Sequence, residues 1–179
     1  MLSVILLAAG ESRRMGERNK LLLPFRESCF LGHIADQILA AKPDELLVVV
    51  GHEQKRTRKV LANRPIQFVE NPNYAEGMTT SIQAGIRALK SDADGAMIFL
   101  VDHPINDVEL IEGLIRAFEP NQIVVPVFEK RRGHPVVFSR EILEEILLLP
   151  ANEGANTVVR RDPNRIIQVA VHNDAVVAD

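Results

Sequence analysis

The chain has 179 residues, enough for one sizeable hydrophobic core. Hydrophobic residues make up 46% and charged residues 25%, as in ordinary globular proteins, and the net charge of -3 argues against a nucleic-acid-binding role. The single cysteine, Cys29, excludes an internal disulfide, and the first residues show neither a signal-peptide pattern nor an apolar run long enough to span a membrane. We expect a cytoplasmic protein with no membrane or nucleic-acid partner.

Strand and helix patterns alternate along the chain. Continuous apolar runs predict strands, and the β-branched run in the second of them is typical of a strand buried on both faces. The predicted strands are 4–7, 46–50, 66–69, 96–101, 123–127, 135–138 and 166–171. Helical spacing predicts helices at 31–41, 55–62 and 141–148. Two more helices are predicted to open on capping boxes, one from Thr80 to Leu89 and one from Asn106 to Phe118.

This alternation predicts an α/β fold, with a mostly parallel, Rossmann-like sheet and helices on both faces. The sequence contains no repeat, low-complexity segment or linker, so residues 1–179 are expected to form one domain. Ligands of such sheets bind beyond the carboxyl ends of the strands. Polar or glycine-containing segments follow three predicted strands, at residues 8–20, 71–81 and 102–104.

The first of these segments combines small residues, glycines and cations. It runs from Leu7 to Gly16 as LAAGESRRMG and continues to Lys20. Small residues let the backbone approach a ligand closely, and backbone N–H groups with Arg and Lys side chains bind polyphosphates. The segment matches neither G-x-x-x-x-G-K-[ST] nor G-x-G-x-x-G. It indicates a nucleoside triphosphate site, and the alternative is an ordinary glycine-containing surface loop.

Asp102 follows a predicted apolar strand and precedes Pro104. A carboxylate in that place can offer a hard oxygen to Mg²⁺, which prefers such ligands. The alternative is an aspartate that caps a turn before proline. His103 and His134 have no metal-ligand partner at a useful spacing, so no zinc site is predicted.

The pattern L-A-A-G-x-S-x-R-M-G resembles the signature of nucleotidyltransferases of the MobA-like NTP transferase superfamily. The resemblance is strongest to the molybdenum cofactor cytidylyltransferase-like branch. Further segments agree in order along the chain: 71–72, 77–81, 100–104, 133–135 and 152–155. The resemblance spans essentially the whole chain and implies a fold of the nucleotide-diphospho-sugar transferase type.

The activity implied by this resemblance is magnesium-dependent transfer of CMP from CTP to a phosphorylated acceptor, with release of pyrophosphate. Molybdopterin is the expected acceptor, and a molybdoenzyme that receives the finished cofactor is an expected partner. The alternatives are guanylyl transfer, a sugar-phosphate acceptor, or a nucleotide-binding regulatory protein without turnover. The fold alone does not distinguish them, because one fold hosts many functions.

The resemblance also implies roles for individual residues. Arg14 and Lys20 are the expected phosphate clamps, and Asp102 is the expected catalytic metal ligand. The expected nucleotide-binding residues are Leu7, Ala8, Ala9, Gly10, Gly16, Gly77 and Ser81. Guanylyl-transferring relatives carry glycine where this chain has Ala9, so its methyl group is expected to narrow the base pocket in favour of cytosine.

Two further expectations concern the second half of the chain. Residues 133–135 resemble a segment near the acceptor, and the cations at 130–132 either attract an anionic substrate or form a solvated loop. Relatives continue with an acidic stretch, D-x-D-T-P-E-D, where this sequence stops at Asp179. Asp179 is expected to be a second metal ligand, and the alternative is an incomplete metal site.

Overall fold

The computed structural model describes residues 1–10, 24–25, 28–101, 107–172 and 174–177. The strands in these ranges are β1 Leu2–Ala8, β2 Pro24–Phe25, β3 Ser28–Cys29, β4 Glu45–Val50, β5 Gln67–Glu70, β6 Gly95–Leu100, β7 Ile123–Phe128, β8 Arg131–Arg132, β9 Val136–Ser139 and β10 Ile166–Ala170. The helices are α1 Phe30–Ala40, α2 Gln54–Leu61, α3 Met78–Arg87, α4 Val108–Arg116, α5 Arg140–Leu147 and α6 Asn156–Arg161. None of the helices in these ranges has the length and apolarity needed to cross a bilayer.

One sheet organises the domain, with strand order β10-β7-β9-β6-β1-β4-β5 and β8 paired to β7. β1 lies between β4 and β6 and is parallel to both, with Leu7 opposite Val49 on one side and Leu100 on the other. The predicted mostly parallel sheet is confirmed. β9 pairs antiparallel with β6 and with β7. Only residues 129–135 connect β7 to β9, which is too short for the crossover that a parallel pair requires.

Apolar side chains cover both faces of the sheet because β1 is buried along its whole length. Val4, Leu6 and Ala8 lie in the core under α1 and α4. Ile5 and Leu7 lie in the core under α3, α5 and α6. The helices on both faces confirm the predicted three-layer arrangement, and the alternation along β1 follows from the two-residue period of a strand.

Every predicted strand and helix is present with its ends within two residues of the prediction, but one capping box is wrong. α3 begins at Met78 with Gly77 at its N-cap and no side-chain cap, so Thr80 lies inside the helix. The Gln83 amide does not return to the helix start. Instead, its Nε2 donates to the carbonyl oxygens of Ile146 at 3.1 Å and Leu149 at 2.8 Å, at the end of α5. The tertiary hydrogen bonds at the end of α5 therefore replace the local hydrogen bond that the capping box predicted.

The helix α4 does carry a side-chain cap, one residue later than expected. The carboxylate of Asp107 accepts a hydrogen bond from the backbone N–H of Leu110 at 3.2 Å. Four short elements were not predicted, β2, β3, β8 and α6, because strands of two residues and helices of six leave little periodicity to detect.

Two helical glycines differ in their surroundings, and this difference predicts opposite effects on stability. A Cβ on Gly85 of α3 would lie 2.5 Å from Cγ2 of the buried Ile5, whereas a Cβ on Gly113 of α4 would meet only the Arg116 guanidinium, at 3.9 Å. Alanine favours a helix over glycine by about 0.5–1 kcal/mol, and overpacking costs about 1–3 kcal/mol. We expect Gly113→Ala to raise the free energy of unfolding by about 0.5–1 kcal/mol and Gly85→Ala to lower it by about 1 kcal/mol. Urea denaturation measures both, and an equal rise in the two variants would contradict the close packing of α3 on β1.

Candidate functional site

The carboxyl ends of four parallel strands meet at one edge of the sheet. β6, β1, β4 and β5 are neighbours in that order and run in the same direction. Because adjacent strands are about 4.8 Å apart, the row of strand ends from β6 to β5 extends over about 14 Å. The first of the three segments that the sequence analysis selected follows β1, the second follows β5 and the third follows β6. This edge is where ligands bind in open α/β sheets.

Hydrogen bonds join these strand ends to the start of α3. The backbone N–H of His52, after β4, donates to the carbonyl oxygen of Ala9 at 3.2 Å. The backbone N–H of Asn71, after β5, donates to the carbonyl oxygen of Val50 at 2.9 Å. The side-chain amide of Asn71 then donates to the hydroxyl oxygen of Ser81 in α3 at 2.9 Å. A continuous polar network therefore connects the ends of β1, β4 and β5 with the first turns of a helix.

Gly77 is required by the backbone at this position. Its φ of +136° is rarely adopted by residues with a side chain, and a Cβ would lie 2.9 Å from the carbonyl oxygen of Ala151. The hydroxyl of Thr80 donates to the carbonyl oxygen of Gly77 at 2.8 Å and fixes the turn. The local structure thus accounts for the glycine, and its expected contact with a nucleotide stays a prediction.

The loop at residues 150–155 is attached to the same turn. The hydroxyl of Thr79 donates to the carbonyl oxygen of Glu153, and Gln83 binds the carbonyl groups just before the loop. Since α5 begins beyond β9, which runs against the other strands, it returns to the edge where α3 begins. The exposed residues 152–154, whose pattern resembled the family, therefore lie beside the N-terminus of α3.

In the segment Leu7–Gly10 only Gly10 is exposed, so a ligand at this segment would contact backbone and not side chains. Leu7, Ala8 and Ala9 are buried, and Ala9 is 3% exposed and packs in the core under α3. The expected effect of the Ala9 methyl on a base pocket stays a prediction. At Gly10, by contrast, no described neighbour lies within 4 Å of where a Cβ would be. Open space beside a glycine fits the close approach of a ligand.

Several expected site residues lie outside the described residues: Arg14, Gly16, Lys20, Asp102 and Asp179. Their roles stay predictions. The described chain leads to two of these segments from neighbouring strands, since Gly10 follows β1 and Val101 follows β6. In the described part of the chain, no group of three or more His, Cys, Asp or Glu side chains is arranged to hold a metal ion.

Two aromatic residues at the edge were missed by the sequence analysis. The rings of His52 and Tyr74 lie with centroids 6.1 Å apart, between the ends of β4 and β5. The Tyr74 side chain packs so closely on Gly51 that a Cβ there would lie 2.7 Å from its atoms. A glycine directly after a buried strand is a signal of such a close approach. Gly51 after β4 is such a glycine.

Three cations project from the same edge, farther along the sheet. β7 runs in the direction of β1, because β9 is antiparallel to both β6 and β7. The chain turns after β7 through Glu129 and Lys130, which adopt left-handed φ values of 47° and 68°, and enters β8. Lys130, Arg131 and Arg132 are exposed. We call residues 129–132 the cationic hairpin. It lies three strand spacings from β1, or about 14 Å.

The segment after the cationic hairpin has a structural role. The backbone N–H of Gly133 donates to Pro126 at 2.9 Å, and that of His134 donates to Val176 at 2.8 Å. A Cβ on Gly133 would lie 2.2 Å from the Val176 carbonyl oxygen. These contacts attach the last turn of the described chain, Asp174–Val177, to the hairpin. The expectation that 133–135 lies near an acceptor stays a prediction.

Comparison with known proteins identifies relatives over nearly the whole chain. The family described as MobA-like NTP transferase domain matches residues 4–166. Nicotine blue oxidoreductase of Paenarthrobacter nicotinovorans is 26% identical over 167 residues, covering 89% of this chain and 81% of that protein. A probable molybdenum cofactor guanylyltransferase of Methanosarcina mazei is 27% identical over 150 residues, covering 80% of this chain and 66% of its own length. The bifunctional protein GlmU of Symbiobacterium thermophilum is 33% identical over 119 residues, covering 65% of this chain and 25% of that longer protein.

Solved structures give the same result. The crystal structure of Rv0371c from Mycobacterium tuberculosis H37Rv has a TM-score of 0.83 and 27% identity, covering 95% of this chain and 87% of that one. Its complex with manganese has a TM-score of 0.80 at 24% identity, covering 95% and 88%. The expected family and fold type are confirmed. The chain belongs to the family of MobA-like NTP transferase domains.

Proposed function

We propose that this chain transfers CMP from CTP to a phosphorylated acceptor and releases pyrophosphate, in a reaction that requires Mg²⁺. The observation that carries the proposal is the polar network that joins the ends of β1, β4 and β5 to α3, beside the open backbone at Gly10. Family membership supports nucleotidyl transfer in general. The donor base and the acceptor are the parts that the proposal adds.

Each end of the nucleotide has a proposed position. The triphosphate is proposed to bind the segment that begins at Gly10, with Arg14 and Lys20 as clamps, because guanidinium, ammonium and backbone N–H groups suit phosphate oxygens. The base is proposed to face the turn from Gly77 to Ser81. The end of β5, from which that turn is reached, lies two strand spacings from the end of β1, or about 10 Å. Base and triphosphate therefore occupy separate parts of one edge.

The proposed chemistry needs charge stabilisation more than proton transfer. A phosphate oxygen of the acceptor attacks the α-phosphorus of CTP, and the bond to the pyrophosphate oxygen breaks. A phosphate monoester is largely ionised near neutral pH, so it needs no general base. Negative charge grows on the departing pyrophosphate, and Arg14 and Lys20 are proposed to neutralise it.

The proposed metal ligands are Asp102 and Asp179. Both residues lie outside the described part of the chain, and their role follows from the family resemblance. The manganese complex of Rv0371c supports the use of a divalent cation in this fold. Bound Mg²⁺ would supply positive charge beside the phosphates, and hard carboxylate oxygens are the ligands it prefers.

The proposed acceptor site is the cationic hairpin. Its exposed side chains project from the edge that carries the nucleotide site, and strands β9 and β6 separate the two. Molybdopterin is the proposed acceptor, with support from the relative named as a molybdenum cofactor guanylyltransferase. A molybdoenzyme is the proposed recipient of the product. The cytoplasm is the proposed location, and the single cysteine fits a reducing compartment.

A direct assay tests the donor and the reaction together. We expect pyrophosphate release from CTP in the presence of acceptor and Mg²⁺, and tighter binding of CTP than of GTP in calorimetric titrations. Tighter binding of GTP would replace the proposed donor by a guanylyl donor. Binding of CTP without pyrophosphate release from any of molybdopterin, sugar phosphates or other phosphorylated acceptors would favour a regulatory nucleotide-binding role.

Removal of the proposed metal ligand should abolish most turnover. We expect Asp102→Asn to lower the magnesium-dependent rate by at least about a hundredfold, since loss of one key electrostatic group has effects on this scale. The matched control is Asp92→Asn, the same change at an exposed position before β6, which should retain the wild-type rate. Equal rates for the two variants would remove Asp102 from the metal site.

Neutralising the cationic hairpin should weaken binding of the acceptor and leave binding of the nucleotide unaffected. We expect the double variant Lys130→Gln/Arg132→Gln to raise KM for the acceptor about three- to tenfold, because two exposed charge contacts are lost. The Kd for CTP should not change. High salt should reduce the difference. Arg116→Gln is the control, because α4 leaves the same edge and ends at the opposite one. A rise in the Kd of CTP would place the hairpin at the nucleotide instead.

A further inference from the structure

Asn71 is a buried side chain whose amide has a fixed orientation. It is 4% exposed, and its Oδ1 accepts a hydrogen bond from the backbone N–H of Asn73 at 3.0 Å. An N–H group only donates, so the amide atom that it meets must be the oxygen. The amide nitrogen of Asn71 therefore faces the hydroxyl oxygens of Thr80 and Ser81, both at 2.9 Å.

This orientation determines what the two hydroxyl groups can do with their own protons. Each hydroxyl oxygen accepts one hydrogen from Asn71, and each hydroxyl has one proton to donate. The proton of Thr80 has acceptors in the carbonyl oxygens of Asn73 and Gly77, at 2.9 and 2.8 Å. For the proton of Ser81, the hydrogen bonds among the described residues include no acceptor, although this residue is only 5% exposed.

We propose that Asn71 is a positioning residue that makes Ser81 a hydrogen-bond donor to the base of the bound nucleotide. The inference rests on the proposed function, because it needs a nucleotide at the first turns of α3. It adds the polarity of the contact: the hydroxyl proton of Ser81 is directed to an acceptor on the base, such as a ring nitrogen or carbonyl oxygen. Asn71 acts on the base only through Ser81.

Asn71→Asp separates this role from a purely structural one. The carboxylate has the shape of the amide and still accepts from the N–H of Asn73. It cannot donate, so Thr80 and Ser81 would both turn their protons toward it. Ser81 would then present lone pairs to an acceptor on the base. The polarity of the contact is inverted while the packing of the turn is retained.

The readout is binding of CTP and of inorganic tripolyphosphate, which shares the phosphates and has no base. In calorimetric titrations at fixed Mg²⁺, we expect N71D to weaken CTP binding about tenfold, which is the scale of one lost hydrogen bond. Tripolyphosphate should bind as it does to the wild type. Asn73→Asp is the control, because it adds the same charge two residues away at an exposed position. N73D should bind both ligands normally, and a matching loss of CTP binding in N73D would overturn the proposal.

A double-mutant cycle tests whether Asn71 acts through Ser81. Ser81→Ala alone should weaken CTP binding, and the double variant with N71D should bind CTP no more weakly than Ser81→Ala does. Additive losses would overturn the proposal and assign Asn71 a structural role. If circular dichroism shows that N71D does not fold, the S81A variant tests the proposal by itself. Unchanged CTP binding in S81A would overturn the proposal. Failure of the wild type to bind CTP or tripolyphosphate would instead refute the proposed function.

Discussion

The burial of β1 on both faces and both edges is the constraint on which the rest of this structure depends. Its neighbours β4 and β6 occupy its hydrogen-bonding edges, and helices cover its two faces. Five large apolar side chains, Leu2, Val4, Ile5, Leu6 and Leu7, are buried there. At about 2 kcal/mol each, their burial contributes on the order of 10 kcal/mol, which is comparable to the net stability of a whole domain.

The same constraint determines where the site can form. A strand with no free edge and no free face can contact a ligand only where it ends, and β1 ends at Ala8. Polar side chains are excluded from its interior unless they are paired, as Ser3 is by its hydroxyl hydrogen bond to Glu45 at 2.6 Å. The polar network from Ala9 to Ser81 begins immediately beyond this apolar segment. The buried strand and the candidate site therefore occupy adjacent, separate lengths of chain.

Most of the fold was predictable from the sequence, because apolar runs and helical spacing are local properties. The ends of β4, β5 and β6 were located within one residue, and their common edge followed from the order of elements. Gln83 shows where local reasoning fails: its spacing from Thr80 matches a capping box, but its acceptor at Ile146 lies 63 residues away. The burial of the Ala9 methyl depends on α3 in the same way, and local sequence does not predict it.

The strand ends that meet at the candidate site were predictable, whereas the contacts between them were not. The segments at residues 8–10 and 71–81 are both hydrogen-bonded to the end of β4, through His52 and Val50, as strand direction implies. The hydrogen bond from Asn71 to Ser81 was not predictable, because a polar residue after a strand has many equivalent partners until the helix start is known. The phosphate clamps and the metal ligands remain predictions, since they lie outside the described residues.

The reversed strand β9 has a consequence for how such a protein can diversify. Because β9 runs against its neighbours, no chain segment leaves the carboxyl edge between β6 and β7. The outgoing loops of those two strands are separated by two strand spacings, or about 10 Å, instead of one. Residues 133–135 enter β9 within that interval, so the chain between the two outgoing loops arrives from the β7–β8 turn. Insertions or substitutions in the β7–β8 turn therefore change the chain at this edge without altering β1 or the segment that follows it, so these two parts of the edge can evolve independently.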